Sequence, residues 1–133
     1  MFTYKTTVKM HDTDAAGILF FGHQFRLVHD AYEHFLEIIG FSFVKILSET
    51  NFFIPVIHAE ADYKSPLAVG DRLTIKGRVE KVGESSFVIG YEIRNARNAI
   101  VGTARTVHVT TNSKTRKKIP LPLDFKKKLM KAR

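Results

Sequence analysis

The sequence predicts an α+β fold in which one long helix lies against a long, five-stranded antiparallel sheet. Two observations carry this. Apolar residues recur at helical spacing over 21–39, but with a period of two in the stretches before and after it. The links between the later stretches are "KSPLAVG", "GES" and "RN", far too short for the crossovers that parallel strands need.

Taken in order, residues 2–11 read as the first strand, with Phe2, Tyr4, Val8 and Met10 on one face and Thr3, Lys5, Thr7, Lys9 and His11 on the other. Residues 12–20 read as a loop pivoting on Gly17. Over 21–39, Phe25, Val28, Tyr32, Phe35, Leu36 and Ile39 make one apolar stripe, and Gly40 is a natural stop. Residues 42–49 read as a short helix. Four strands follow over 52–63, 71–82, 86–96 and 99–111. The stretch "IPLPLDF" at 119–125 breaks regular structure, and "DFKKKLMKAR" is written for a terminal helix. One helix cannot cover such a sheet, and its edges are open. A homodimer or a dimer of dimers is therefore expected.

The chain has 133 residues, of which 44% are hydrophobic and 26% charged. That suits a single domain over 1–133 able to bury roughly two thirds of its unfolded surface. There is no cysteine, which excludes a disulfide scaffold, a thiolate nucleophile and a Cys-ligated metal. No apolar run matches a membrane span and the chain opens on a strand pattern, so no membrane partner and a cytoplasmic location are expected. The net charge of +8 is local. Residues 1–113 hold 12 Lys/Arg against 12 Asp/Glu, whereas 114–133 hold nine against one. A neutral body with a basic tail argues against a broad nucleic-acid face and favours a local anion site or a solvated tail.

The stretch "HDTDAAGILFFGH" (11–23) stands apart. It sets two carboxylates and a small-residue patch just ahead of the long helix. Together with "VHDAYEHFL" it resembles the hotdog-fold acyl-CoA thioesterases of the 4-hydroxybenzoyl-CoA thioesterase type. The stretches "IPVIHAEADYKSPLAVGDRL" (54–73), "ESSF" (84–87) and "RKKIPLP" (116–122) are similar to the branch acting on 1,4-dihydroxy-2-naphthoyl-CoA in phylloquinone and menaquinone synthesis. The resemblance spans nearly the whole chain. It implies a sheet wrapped around one long helix, an acyl-CoA substrate, no cofactor and no metal.

In that family pattern the catalytic carboxylate is the second Asp of the pair, here Asp14, and the oxyanion donor is the N–H seven residues later, at Phe21. The chemistry agrees. Thioester hydrolysis needs a carboxylate as nucleophile or general base, and donors where the carbonyl oxygen becomes an oxyanion. A helix start offers free N–H groups and positive dipole, so the backbone at Phe21 and Gly22 is the expected oxyanion site. The competing reading of Asp14 is an Asx-turn residue. Asp12 reads as a loop or capping group. The spacing of His11, Asp12, Asp14 and His23 fits no common metal-ligand pattern.

His23 is expected to line the acyl pocket. His58 has two readings: a structural group, or, as the resemblance implies, a contact to substrate ring hydroxyls, on a strand face shared with Val56, Glu60 and Asp62. Ser86 is implied near the thioester and the pantetheine arm. Glu33 is a second candidate acid/base residue, and the family tends to carry Glu where His29 stands. Arg116, Lys117 and Lys118 are expected to hold the phosphates of coenzyme A, while the later lysines read as a solvated face. The alternatives are a thioesterase for other aryl or short acyl-CoA esters and a non-catalytic acyl-CoA or nucleic-acid binding module.

Overall fold

The computed structural model describes residues 1–133. Strand β1 (Phe2–Thr7) leads through a 3-10 turn (Met10–Asp12) and a loop to helix α1 (His23–Ile38). A short helix α2 (Phe43–Glu49) follows, then β2 (Phe52–Phe53), β3 (Val56–Tyr63), β4 (Arg72–Val82), β5 (Ser86–Arg94), β6 (Ile100–Asn112), β7 (Lys118–Ile119) and helix α3 (Leu123–Ala132). All strand pairs are antiparallel, and the long strands run β1-β4-β5-β6-β3 across the sheet. The two-residue strands β2 and β7 both pair with the far end of β6, so the sheet has seven strands by count and five long ones. No helix is long and apolar enough to cross a membrane.

The apolar stripe of α1 packs as its spacing demands. Leu27, Val28, Ala31, Tyr32, Phe35 and Leu36 are buried against Phe2, Ile75, Ile89 and Ile93 of the sheet. The chain turns out of α1 at Gly40, whose φ of +85° only glycine adopts without strain.

Four sequence expectations are corrected here. The first strand stops at Thr7, because the chain coils into the 3-10 turn, and Met10 is 79% exposed rather than on the core face. The stretch 52–63 is two strands. Pro55 has no N–H to give to the ladder, and the chain breaks there. A bulge at Ile57 then shifts the register between Val56 and His58. Val56 therefore does not share a face with His58, Glu60 and Asp62; it lines a cavity against Phe25 and Tyr32 of α1. Finally, 114–133 is not simply a solvated tail, since Phe125 and Leu129 of α3 are fully buried in the main core.

Candidate active site

The loop before α1 folds back on itself. The Asp14 N–H donates to the Ile18 carbonyl at 2.9 Å, and Phe20 returns to donate to the Asp12 carbonyl at 2.9 Å. Leu19 ties the loop to Leu67 at 2.7 Å. Asp14 thus stands beside the start of α1, and a cleft of about 380 Å³ is lined by Asp14, Phe21, Gln24, Tyr63, Ser65 and Leu67 among others. The Asp14 side chain also accepts from the Ala16 N–H at 2.8 Å. The Asx turn is real, and it leaves the second carboxylate oxygen free while fixing the side chain over the cleft.

Helix α1 begins at His23, two residues later than its pattern suggested, because His23 donates to the Phe20 carbonyl in a tight turn at 2.9 Å. Phe21 and Gly22 lie in that turn, and neither N–H donates to a protein acceptor. Two free donors at a helix start are what an oxyanion needs. Their orientation is held from both sides. Tyr63 donates its hydroxyl to the Phe21 carbonyl at 2.7 Å, which fixes the peptide plane carrying the Gly22 N–H. Gln24 is 1% exposed and spans to the carbonyls of Asp62 and Thr103 at 3.1 and 3.0 Å. It fits only because Gly102 lacks a side chain, where a Cβ would lie 2.9 Å from the amide oxygen.

Asp12 is structural, as its capping assignment anticipated. It is fully buried, accepts from the Lys9 N–H at 2.8 Å and pairs with Arg26. Burial pushes its carboxyl up, but the Lys9 hydrogen bond and the Arg26 guanidinium together outweigh this and hold it below its ordinary value of 3.8. A depressed carboxyl contributes stability that is present above the unfolded value and lost as pH falls through the folded one. Asp12 therefore contributes to acid denaturation below about pH 4.

The cleft does not gather every residue the sequence singled out. His23 is half-buried with its ring edge on Phe20, 5.5 Å between centroids, and does not line the cleft. His58 lies on the outer face of β3 beside Glu60, at 3.7 Å. Ser86 sits at the β4–β5 hairpin, where its carbonyl accepts from Gly83 at 2.7 Å. Arg116 and Lys117 are exposed on the β6–β7 turn, with Arg116 at a positive φ of 61°, and the exposed Lys118 opens β7. Glu33 is exposed and 3.4 Å from His29. No three His, Asp or Glu side chains gather as a metal cage. Gln24 and Tyr63 are the site residues that sequence reasoning passed over. The signal for Gln24 was available, as a polar residue one position before the apolar stripe begins.

Comparison with known proteins gives the family and the fold. Residues 8–129 match the family described as the thioesterase-like superfamily. A 1,4-dihydroxy-2-naphthoyl-CoA hydrolase of Crocosphaera subtropica is 34% identical over 125 residues, covering 92% of this chain and 91% of the relative. The enzyme of the same name from Nostoc punctiforme is 36% identical, covering 91% and 81%. The crystal structure of a 1,4-dihydroxy-2-naphthoyl-CoA thioesterase from Synechocystis superposes with a TM-score of 0.90 at 33% identity, covering 97% of this chain and 95% of that one.

Proposed function

The chain belongs to the thioesterase-like superfamily, and from that premise we propose that it is a hotdog acyl-CoA thioesterase that hydrolyses 1,4-dihydroxy-2-naphthoyl-CoA to the free acid and coenzyme A, in the cytoplasm and in the service of phylloquinone or menaquinone synthesis. The observation that carries the reaction is the Asp14 carboxylate in a cleft that Phe21 also lines, beside a turn in which the N–H groups of Phe21 and Gly22 are unpaired. Asp14 adds to the thioester carbonyl, or removes a proton from the water that does. The carbonyl oxygen becomes an oxyanion received by the two N–H groups, and its collapse breaks the C–S bond and releases coenzyme A thiolate. Where Asp14 itself has added, water then opens the Asp14–acyl anhydride to the free acid, and by either route the proton taken from water passes to the thiolate. This chemistry uses only water and the chain's own groups. The substrate follows the relatives named above.

A thiol-release screen across aryl and aliphatic CoA esters tests the reading. The highest kcat/KM is expected for 1,4-dihydroxy-2-naphthoyl-CoA. A clear preference for another aryl or a short aliphatic ester would transfer the function to that class, and binding without turnover would leave a non-catalytic acyl-CoA module.

The working unit is a homodimer or a dimer of dimers. Strand β3 is an edge, exposed along nearly its whole length, and shows Val56, Ile57 and Tyr63 to solvent. Antiparallel pairing of β3 with a second copy about the strand's middle covers that edge. It sets the Tyr63 end of one copy against the Val56 end of the other. Light scattering on the active fraction should give a dimer or tetramer mass, and a fully active monomer at low micromolar concentration would refute the assembly.

The same pairing gives the basic turn a role. In one copy, Arg116, Lys117 and Lys118 lie past the end of β6, roughly 30 Å from the Gly102 end that meets the cleft. In a two-fold dimer the partner's turn comes to the cleft's side, where the phosphates of coenzyme A would lie. Changing all three residues to Ala should raise KM several-fold with little loss of kcat, the signature of lost uniform binding. An unchanged KM would make the turn an ordinary solvated one.

A further inference from the structure

The turn that carries the free donors has few ties of its own. Phe21 is 65% exposed, Gly22 has no side chain to pack, and the start of α1 has no side-chain cap. The peptide between Phe21 and Gly22 is held instead through its carbonyl. The Phe21 oxygen accepts from the Gln24 N–H at 3.3 Å, a long bond inside the first turn of the helix. It also accepts from the Tyr63 hydroxyl at 2.7 Å, from 42 positions away at the end of β3. Gln24 is anchored to the same place, through the carbonyls of Asp62 and Thr103.

Satisfying buried polar groups does not account for the Tyr63 bond. Tyr63 is 49% exposed, so water can serve its hydroxyl, and the Phe21 carbonyl already has a donor in Gln24. A hydrogen bond in that setting contributes little to folding. What it does supply is direction. A trans peptide is planar, and its C=O and N–H point opposite ways. The Gln24 bond turns the Phe21 carbonyl along α1, so the Gly22 N–H points out of the helix start. The Tyr63 hydroxyl stands behind that carbonyl and stops the plane from rocking about the bonds on either side of it. A donor on the carbonyl also polarises the amide and strengthens its N–H in turn. A donor fixed and strengthened before charge develops is what lowers the barrier to an oxyanion.

We infer that Tyr63 is a positioning residue for the reaction: it acts through the Phe21–Gly22 peptide, and not on the substrate, to hold the Gly22 N–H in place for the oxyanion. Its own proton is committed to the Phe21 carbonyl, so the thioester does not receive it. The inference rests on the reaction proposed above and assigns the edge strand β3 a part in it.

Tyr63→Phe tests this, because it removes the hydroxyl, keeps the ring and leaves the Phe21 carbonyl its bond from Gln24. On the best acyl-CoA ester found, kcat should fall at least about tenfold, a part of the 10²–10³ that a whole oxyanion donor contributes. KM should stay within about threefold, the pattern of an interaction felt only in the transition state. Tm should move by no more than a few degrees, and the shape of kcat against pH should be kept. A kcat within about twofold of wild type overturns the inference. So does a raised KM at unchanged kcat, which would make Tyr63 a substrate contact. Loss of the basic limb of the pH profile would make the hydroxyl a proton donor, and a large fall in Tm with kcat kept would make the bond structural; either result overturns it too. A second measurement needs no turnover. ¹⁵N relaxation gives the order parameter of the Gly22 N–H, which should be near the rigid value of about 0.85 in wild type and fall towards about 0.6 in Tyr63→Phe. An unchanged value overturns the inference even where kcat falls, since the hydroxyl would then act directly. Should wild type turn over no ester at all, the proposed reaction fails by itself, and the Gly22 order parameter decides whether Tyr63 holds the turn.

Discussion

Asp14→Asn should lower kcat by at least about a hundredfold, the usual scale for removing a positioned acid/base group, while KM changes much less. The substitution keeps the side chain's size and its bond to the Ala16 N–H, since the amide oxygen accepts as the carboxylate does. What disappears is the charge and the basicity, and both are needed only as the transition state forms. The backbone donors at Phe21 and Gly22 remain, so a residual rate above that of free solution is expected. Thiol release under saturating substrate checks this, and a variant within a few-fold of wild type would return Asp14 to its turn. The catalytic carboxylate would then be sought on α1, with Glu33 first. Asp12→Asn is the matched control. It removes a carboxylate two positions away whose partners are Lys9 and Arg26. Its cost should appear in stability, about 1–3 kcal/mol for a charged hydrogen bond and less to the extent that the half-exposed Arg26 is solvated.

The contrast between these two aspartates marks what was legible in the sequence. Both carboxylates stand ahead of the helix start that the apolar stripe located, and it was the family resemblance that singled out Asp14 and left Asp12 as a loop or capping group. The stripe was readable since α1 packs one continuous face on the sheet. The alternation of β4, β5 and β6 was readable for the same reason. Legibility failed where a local backbone event overrode the period. The bulge at Ile57 moves Val56 across the strand, and strict alternation cannot foresee an extra residue. It failed also where a polar residue is buried by distant partners. The contacts of Gln24 and Tyr63 lie 38 or more positions away in the chain, and His108 reads as one more residue of a strand until Tyr32 and Phe87 stack on it.

Phe125→Ala should cost about 3–5 kcal/mol, the range for truncating a large aromatic in a packed core, and lower Tm by roughly 10–20 °C in a chain of this size. The residue lies in the most basic stretch of the sequence, where composition suggests a solvated tail. Helix α3 nevertheless turns Phe125 and Leu129 inward, both fully buried, while Lys127, Lys128 and Lys131 stay exposed on its other side. Phe125 meets the rings of Phe41, Phe52 and Phe87 at 5.1, 5.7 and 5.6 Å. It therefore joins α3 to the chain after α1, to β2 and to β5 at once. Three of its neighbours are large aromatic rings already packed in the core, so the cavity penalty should be near the upper end of its range. The triple change of Lys127, Lys128 and Lys131 to Ala is the counterpart and should move Tm by only a few degrees, since exposed charges away from special contacts contribute little. Thermal unfolding followed by circular dichroism separates the two. A small shift for Phe125→Ala would mean that α3 is peripheral. A large one shows that the sheet depends on this helix to close its core beneath the β6–β7 turn.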